Sequence, residues 1–169
     1  MKANPVTGEM RGISGKEIEA ISFLELEGRR FFSKANIRRF FRTRAEMAVY
    51  VHRLVVKGRI VRIARDRYYL VPIQAYRGRW SEHPYVVIDE MFGGKGYVIG
   101  GKSAASYWGL IDQIPSVTDV FTKTRQGKRD VFGMTIRFRR VRNLPRSKSG
   151  KIKGHRFMIS TKVVSRKWM

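Results

Sequence analysis

The segment from Thr43 to Val71 constrains the fold more tightly than any other part of the chain. Thr43-Arg44-Ala45-Glu46 fits a capping box, in which a hydroxyl and a carboxylate satisfy free backbone N–H groups reciprocally. Met47, Val51, Leu54 and Val55 then recur at helical spacing, and Gly58 supplies the stop. Arg59-Ile60-Val61-Arg62-Ile63 and Arg67-Tyr68-Tyr69-Leu70-Val71 are β-rich runs on either side of the polar Ala64-Arg65-Asp66, which is the pattern of a hairpin.

Upstream, the apolar spacing of Ile18, Ile21, Phe23, Leu24 and Leu26 predicts a first helix from Ser14 to Phe32. Glu17, Glu19, Glu25 and Glu27 form its solvated face, and Gly28 is a place where it can end early or bend. Ser33 suits the N-cap of a short second helix that turns Ile37, Phe40 and Phe41 inward.

Helix, helix, capped helix and hairpin is the order of a winged helix-turn-helix, an architecture that lays its third helix in the major groove of DNA. Opposite the core stripe of that helix lie Ala45, Glu46, Val49, His52 and Arg53. These residues, with Arg42 and Thr43, are the expected base readers. Arg65 and Arg67 at the wing face phosphates or the minor groove. Arg38, Arg39, Arg44 and Arg62 complete the candidate DNA-binding set.

Charge gives an independent reason to expect a polyanion. The chain has 169 residues, with 36 Lys and Arg against 13 Asp and Glu, for a net charge of +23. Such a charge repels itself in a compact state unless a partner neutralises it. It is also unevenly placed. Residues 1–75 carry 16 basic and 7 acidic side chains, residues 76–120 carry 4 and 5, and residues 121–169 carry 16 and 1. Two basic regions thus flank a nearly neutral middle. A hydrophobic content of 43% is enough for a real core and excludes a simple basic tail. No apolar run approaches the roughly 20 residues of a membrane-spanning helix. Cysteine is absent, which excludes disulfides and thiolate metal sites and fits a cytoplasmic location. With so few Asn and Gln, it also fits a hot-growing source.

Residues 73–84, including Arg77, Arg79 and Trp80, read as a linker. Tyr85-Val86-Val87-Ile88 is a buried strand or the start of a helix to Phe92, and periodicity does not decide between them. Beyond it the pattern predicts a strand at Tyr97-Val98-Ile99, a helix over Lys102–Leu110, and strands over Val117–Thr124, Met134–Val141 and His155–Val164. Gln126-Gly127-Lys128 reads as a turn and Ser147–Lys151 as a polar loop. The expected fold class is α+β: a winged helix-turn-helix over 1–72, then a small domain over 85–169 with a mostly antiparallel sheet. The alternation Met134, Ile136, Phe138 against Arg137, Arg139 gives that sheet a cationic outer face. Lys102, Lys123, Arg125, Lys128, Arg137 and Arg139 form a candidate second basic surface.

Several motifs weigh less than they look. Gly96–Ser103 matches the phosphate-binding P-loop pattern letter for letter, but that motif needs a buried strand before its first glycine, and here the strand-like residues lie inside it. A Gly-led turn into a packing helix is the better reading. His52, His83 and His155 are far apart and not at ligand spacing, so no metal is expected, and no cofactor either. The carboxylates Glu82, Asp89, Glu90 and Asp112 lack the clustering of a metal-dependent nuclease. The chain therefore reads as a non-enzyme. Tyr68, Tyr69, Trp80, Tyr107 and Trp108 have the chemistry to stack on bases, with packing as their default role.

Tyr97-Val98-Ile99-Gly100-Gly101-Lys102-Ser103-Ala104-Ala105-Ser106-Tyr107-Trp108-Gly109-Leu110, followed by Ile111-Asp112-Gln113-Ile114-Pro115, resembles a segment of the AbiEi-type antitoxins, the regulatory halves of type IV toxin–antitoxin pairs. The resemblance implies a repressor that binds operator repeats in double-stranded DNA, without membrane association, and a second domain that counters a nucleotidyltransferase toxin. It also implies a further helical segment after the last strand. Such repressors often act as homodimers on DNA, although no separate dimerisation helix is visible. The alternatives are a basic module that binds an acidic protein and a nucleic-acid-processing enzyme such as a nuclease or glycosylase.

Overall fold

A computed structural model describes residues 12–72 and 82–168. It is a mixed α+β structure that divides between Gly78 and Arg79 into two compact units. The division falls within the segment expected to be a linker, most of which (73–81, with Arg77, Arg79 and Trp80) lies outside the described residues.

The first unit runs α1 (Gly15–Leu26), β1 (Phe31–Phe32), α2 (Lys34–Ile37), a 3-10 turn (Arg38–Phe40), α3 (Arg44–Val56), β2 (Ile60–Ala64) and β3 (Arg67–Leu70). The first helix is shorter than expected. Gly28, at φ +60°, lets its N–H reach Glu25 O while Arg29 N–H reaches Leu24 O, which ends the helix in a Schellman turn. Phe31 and Phe32 then pair with Tyr69 and Tyr68 as a strand. The two cross-strand aromatic pairs, with ring centroids 5.0 and 5.6 Å apart, hold this two-residue strand in place.

The same glycine device ends α3. Gly58 N–H bonds Val55 O and Arg59 N–H bonds Leu54 O. The hairpin follows at once, so the sheet order is β1-β3-β2, antiparallel throughout. Ala20, Ile21 and Leu24 of α1 pack with Ile37, Phe41, Met47, Val51 and Leu54 over the sheet residues Ile60, Tyr68 and Leu70. Three residues of the expected stripes fall outside this core: Ile18 is half-buried, Leu26 is 88% exposed and Val55 is at the surface. Glu17, expected on the solvated face, is instead buried at the start of α1. There it completes a capping box with Ser14 and takes an ion pair from Lys57 at 2.7 Å.

The second unit contains α4 (Pro84–Phe92), β4 (Tyr97–Gly100), α5 (Gly101–Tyr107), β5 (Val117–Thr122), β6 (Gly127–Val131), β7 (Met134–Arg140), β8 (Ser147–Ile152), β9 (His155–Ser160), α6 (Lys162–Ser165) and a 3-10 turn over Arg166–Trp168. The ambiguous run at Tyr85 is helical. His83 caps it through Nδ1, and Pro84, placed in the linker by sequence, is its first residue, where a missing N–H costs nothing.

The six strands lie in the order β6-β7-β5-β4-β9-β8. The sheet is mixed: β7-β5 and β4-β9 are parallel and the other three pairings antiparallel. β6 and β8, read from sequence as a turn and a loop, are its two edges. β6 carries Lys128, Arg129 and Asp130, and β8 is rich in Ser and Lys; such polar, charged edges are blunted against pairing with other chains. The last strand ends at Ser160, not Val164, because Thr161 turns the chain into α6, so a short helical segment follows it. Ile99, Val120, Ile136, Phe138, Phe157 and Ile159 form the apolar face of the sheet, against Val87, Ile88 and Met91 of α4 and Ala104 of α5. Asp89 accepts from Tyr97 OH at 2.6 Å and pairs with His155 Nε2 at 2.9 Å, tying α4 to β4 and β9. Among the described residues no helix is long and apolar enough to cross a membrane.

Candidate nucleic-acid interface

Thr43 starts α3 as expected, its Oγ1 accepting Glu46 N–H at 3.0 Å. The reciprocal half of the box differs. Glu46 Oε2 accepts from Arg42 N–H at 2.7 Å, one residue further back than the cap, while its other oxygen pairs with Lys16. These donors hold the Glu46 carboxyl below the usual carboxylate range, the Lys16 hydrogen bond first among them. Glu46 is therefore committed to the helix start and to α1, and is not free to read a base.

Away from the core, α3 exposes Ala45, Ala48, Val49, His52 and Val56, with Arg53 in the last turn over the Tyr50 ring at 5.5 Å. This face is narrow, mostly uncharged and lined with small or flat side chains. It can enter a groove and touch base edges and thymine methyl groups.

Beside it lies a cavity of about 530 Å³ between α2, the start of α3 and the hairpin. Lys34, Arg38, Arg44, Arg62 and Arg65 line it, with Asp66 as the single carboxylate. Asp66 occupies the tip of the hairpin at φ +53° and accepts from Lys34 N–H at 3.2 Å, which joins the hairpin to the start of α2. Elements far apart in sequence thus converge their cations on one open hollow, an arrangement suited to a phosphate chain.

The expected arginines divide by role. Arg44, Arg62 and Arg65 meet in the hollow. Arg62 donates its Nε–H to Ala64 O at 3.4 Å, and Arg38, which also lines the hollow, has its guanidinium held by the carbonyls of Phe41 and Arg42. Arg39 turns away and lies 3.8 Å from the centre of the Phe23 ring, on the outside of the core. Arg42 is exposed ahead of α3, and Arg67 is half-buried at the start of β3. Lys34 was missed. Its position directly after the Ser33 cap, at the start of the second helix, is the signal that could have found it.

In the second unit Arg137 sits beside Asp119 on adjacent parallel strands. Its Nε bonds Asp119 Oδ1 at 2.6 Å and its Nη2 bonds Oδ2 at 2.9 Å; Arg139 Nε adds a bond to Oδ1 at 3.0 Å. Burial by itself would raise the Asp119 pKa, but the hydrogen bonds from Arg137 and then Arg139 outweigh it and hold the carboxyl below its ordinary range. Lys128 lies opposite Arg137 on β6 and shares its face. Lys102 opens with Arg137 onto a hollow of about 330 Å³. Arg125 goes to the other side, over Phe92 and Phe138, and Lys123 is exposed beyond the end of β5.

The P-loop-like segment is a packing device. Its strand lies inside the motif, and a Cβ at Gly100 would strike the Phe121 ring. A Cβ at Gly101 would come within 2.5 Å of Asp119 Oδ2. Ser103 Oγ accepts from Asp119 N–H and donates to Val117 O. Tyr107 and Trp108 are engaged as well: Trp108 Nε1 donates to Ser160 O at 2.8 Å, and Tyr107 OH accepts from Lys151 N–H at 3.2 Å. His52 is exposed, His83 is a cap and His155 is paired with Asp89. Among the described residues no group of three or more His, Cys, Asp or Glu is placed to hold a metal ion.

No family model matches the chain, and no curated protein does. Among solved structures, that of the RV2827C protein from Mycobacterium tuberculosis is similar, with a TM-score of 0.55 at 16% identity. The likeness covers 78% of this chain and 46% of that one. The chain therefore spans less than half the length of that protein. The share covered exceeds either compact unit, so the likeness takes in residues of both. At this identity it bears on the fold alone.

Proposed function

We propose that this chain is a sequence-specific repressor that binds double-stranded DNA. Its first unit is a winged helix-turn-helix in this reading, with α3 as the groove-reading helix and β2–β3 as the wing. The observation that carries the proposal is the hollow where Lys34, Arg38, Arg44, Arg62 and Arg65 converge beside the small, exposed face of α3. Phosphates of one strand lie along the hollow while Ala45, Val49 and His52 face base edges.

The test is binding to duplex DNA over a range of salt concentrations, first with random sequence and then with a site selected from a pool. Phosphate neutralisation makes log K fall linearly with log salt, with a slope of about 0.9 per phosphate contact. A flat salt response, or no preference emerging from selection, would remove the proposal.

The resemblance of Tyr97–Leu110 to the AbiEi-type antitoxins extends this reading to a regulator that also counters a nucleotidyltransferase toxin through its second unit. Co-expression with the product of an adjacent nucleotidyltransferase reading frame tests that step: rescue of growth supports it, and continued toxicity removes it without touching the DNA-binding reading.

A further inference from the structure

The arrangement at Asp119 is more than a buried carboxylate needs. One guanidinium gripping both oxygens would neutralise it, yet two are supplied. A guanidinium has five N–H donors; Arg137 spends two on Asp119 and Arg139 one, so most of both forks remains open. Asp119 is itself held in place. Its backbone N–H donates to Ser103 Oγ at 3.3 Å, and Gly101, lacking a side chain, packs against its carboxylate at Oδ2. A fixed anion of this kind orients the cations around it as the outer partners of a ligand site do.

The hollow next to Arg137 has a mixed lining. Lys102 supplies a second cation beside Arg137, and Gln113 and Ser116 supply neutral polar groups. Ile111, Ile114 and Pro115 form an apolar wall, with Ile114 91% exposed. Cations at one end and a bare apolar wall at the other suit a ligand with a phosphate and a flat unpaired ring. A duplex, whose bases are stacked inside, would leave the wall unused.

We infer that Asp119, braced by Arg139 on the same carboxylate oxygen, positions Arg137, with Lys102 beside it, to bind the phosphate of a nucleotide, free or within a single strand, whose base rests on Ile111, Ile114 and Pro115. The inference does not rest on duplex binding by the first unit. It gives a role to the strongly basic 121–169 region that the repressor reading does not require.

The test titrates the intact chain with adenosine monophosphate, with a short single-stranded oligonucleotide and with inorganic pyrophosphate, following the arginine Nε–H resonances by NMR. Saturable shifts at Arg137 and Arg139 are expected. The variant Lys102→Ala keeps both arginine bonds to Asp119 and should retain the melting temperature while binding at least about tenfold more weakly. Ile114→Ser should weaken the nucleotide and leave pyrophosphate unchanged. Tighter binding of the oligonucleotide than of the mononucleotide assigns the site to a strand, and equal binding assigns it to a free nucleotide; either supports the inference. Absence of saturable shifts, unchanged affinity in Lys102→Ala, or response to duplex alone would overturn it. Substitutions on α3 serve as the control, because they should disturb duplex binding and leave these resonances where they are.

Discussion

Lys57, at the C-terminal end of α3, donates to both carboxylate oxygens of Glu17, at 2.9 and 2.7 Å, and so locks the end of α3 to the start of α1. The Glu17 side chain is 1% exposed and also accepts from Ser14 N–H at 2.6 Å. Burial would raise its pKa, but Lys57 and the Ser14 N–H outweigh burial and lower it. A carboxyl with a depressed folded pKa contributes stability that is present above its unfolded value and lost as pH falls through the folded one. Acid should therefore destabilise the first unit across the interval just below the ordinary carboxylate range. Glu17→Gln should cost about 2 kcal/mol at neutral pH and flatten that acid limb. Denaturant melts of both chains at several pH values measure this, and parallel pH curves would refute it.

The α3 cap gives a second prediction. Thr43→Ala removes the acceptor for Glu46 N–H, a change that costs about 1 kcal/mol at an exposed helix start. Thr43→Ser should recover most of it. Thermal melts compare the three chains, and a serine variant as weak as alanine would mean that the methyl group, not the hydroxyl, carries the effect.

The sequence showed the first unit more clearly than the second, for a physical reason. A helix such as α3 announces itself through its cap, its spacing and its glycine stop within a short window. The edge strands β6 and β8 carry no such pattern, because an edge strand with one solvated side needs few apolar residues. Gly150 looks like a loop glycine but lies beneath the Phe157 ring, where a Cβ would come within 2.6 Å. The site residues divide in the same way. Arg44, Arg62 and Arg65 were legible as basic residues of one motif. The commitment of Glu46 to Lys16, and of Arg137 and Arg139 to Asp119, was not, since each pair joins residues brought together only by the folded backbone.

Gly101 tests that packing directly. At φ +60° it holds a backbone conformation costly for any side chain, and a Cβ there would collide with Asp119. Gly101→Ala should lower stability by about 3 kcal/mol and displace the Arg137 guanidinium from its two-point bond. Lys102→Ala, one residue on and exposed, should leave stability unchanged. Melting curves, together with the arginine Nε–H shifts, separate the two, and a stable Gly101→Ala chain would show that Asp119 can move aside.

The hollow and the face of α3 make opposite predictions about DNA. Arg65 lines the hollow near the hairpin tip, which the proposed complex fills with phosphates. Arg65→Ala should weaken every duplex about equally and reduce the salt slope by about one. His52 lies on the exposed face of α3, which the proposed complex turns to the base edges. His52→Ala should shift affinity among sequences by about 1–3 kcal/mol at one position while leaving the salt slope nearly intact. Arg53→Ala should likewise relax base preference more than it changes the slope. Titrations of a selected and a scrambled duplex at two salt concentrations distinguish these outcomes. If Arg65→Ala changed sequence preference and His52→Ala changed only the slope, the hairpin would be the reading element and α3 the backbone clamp.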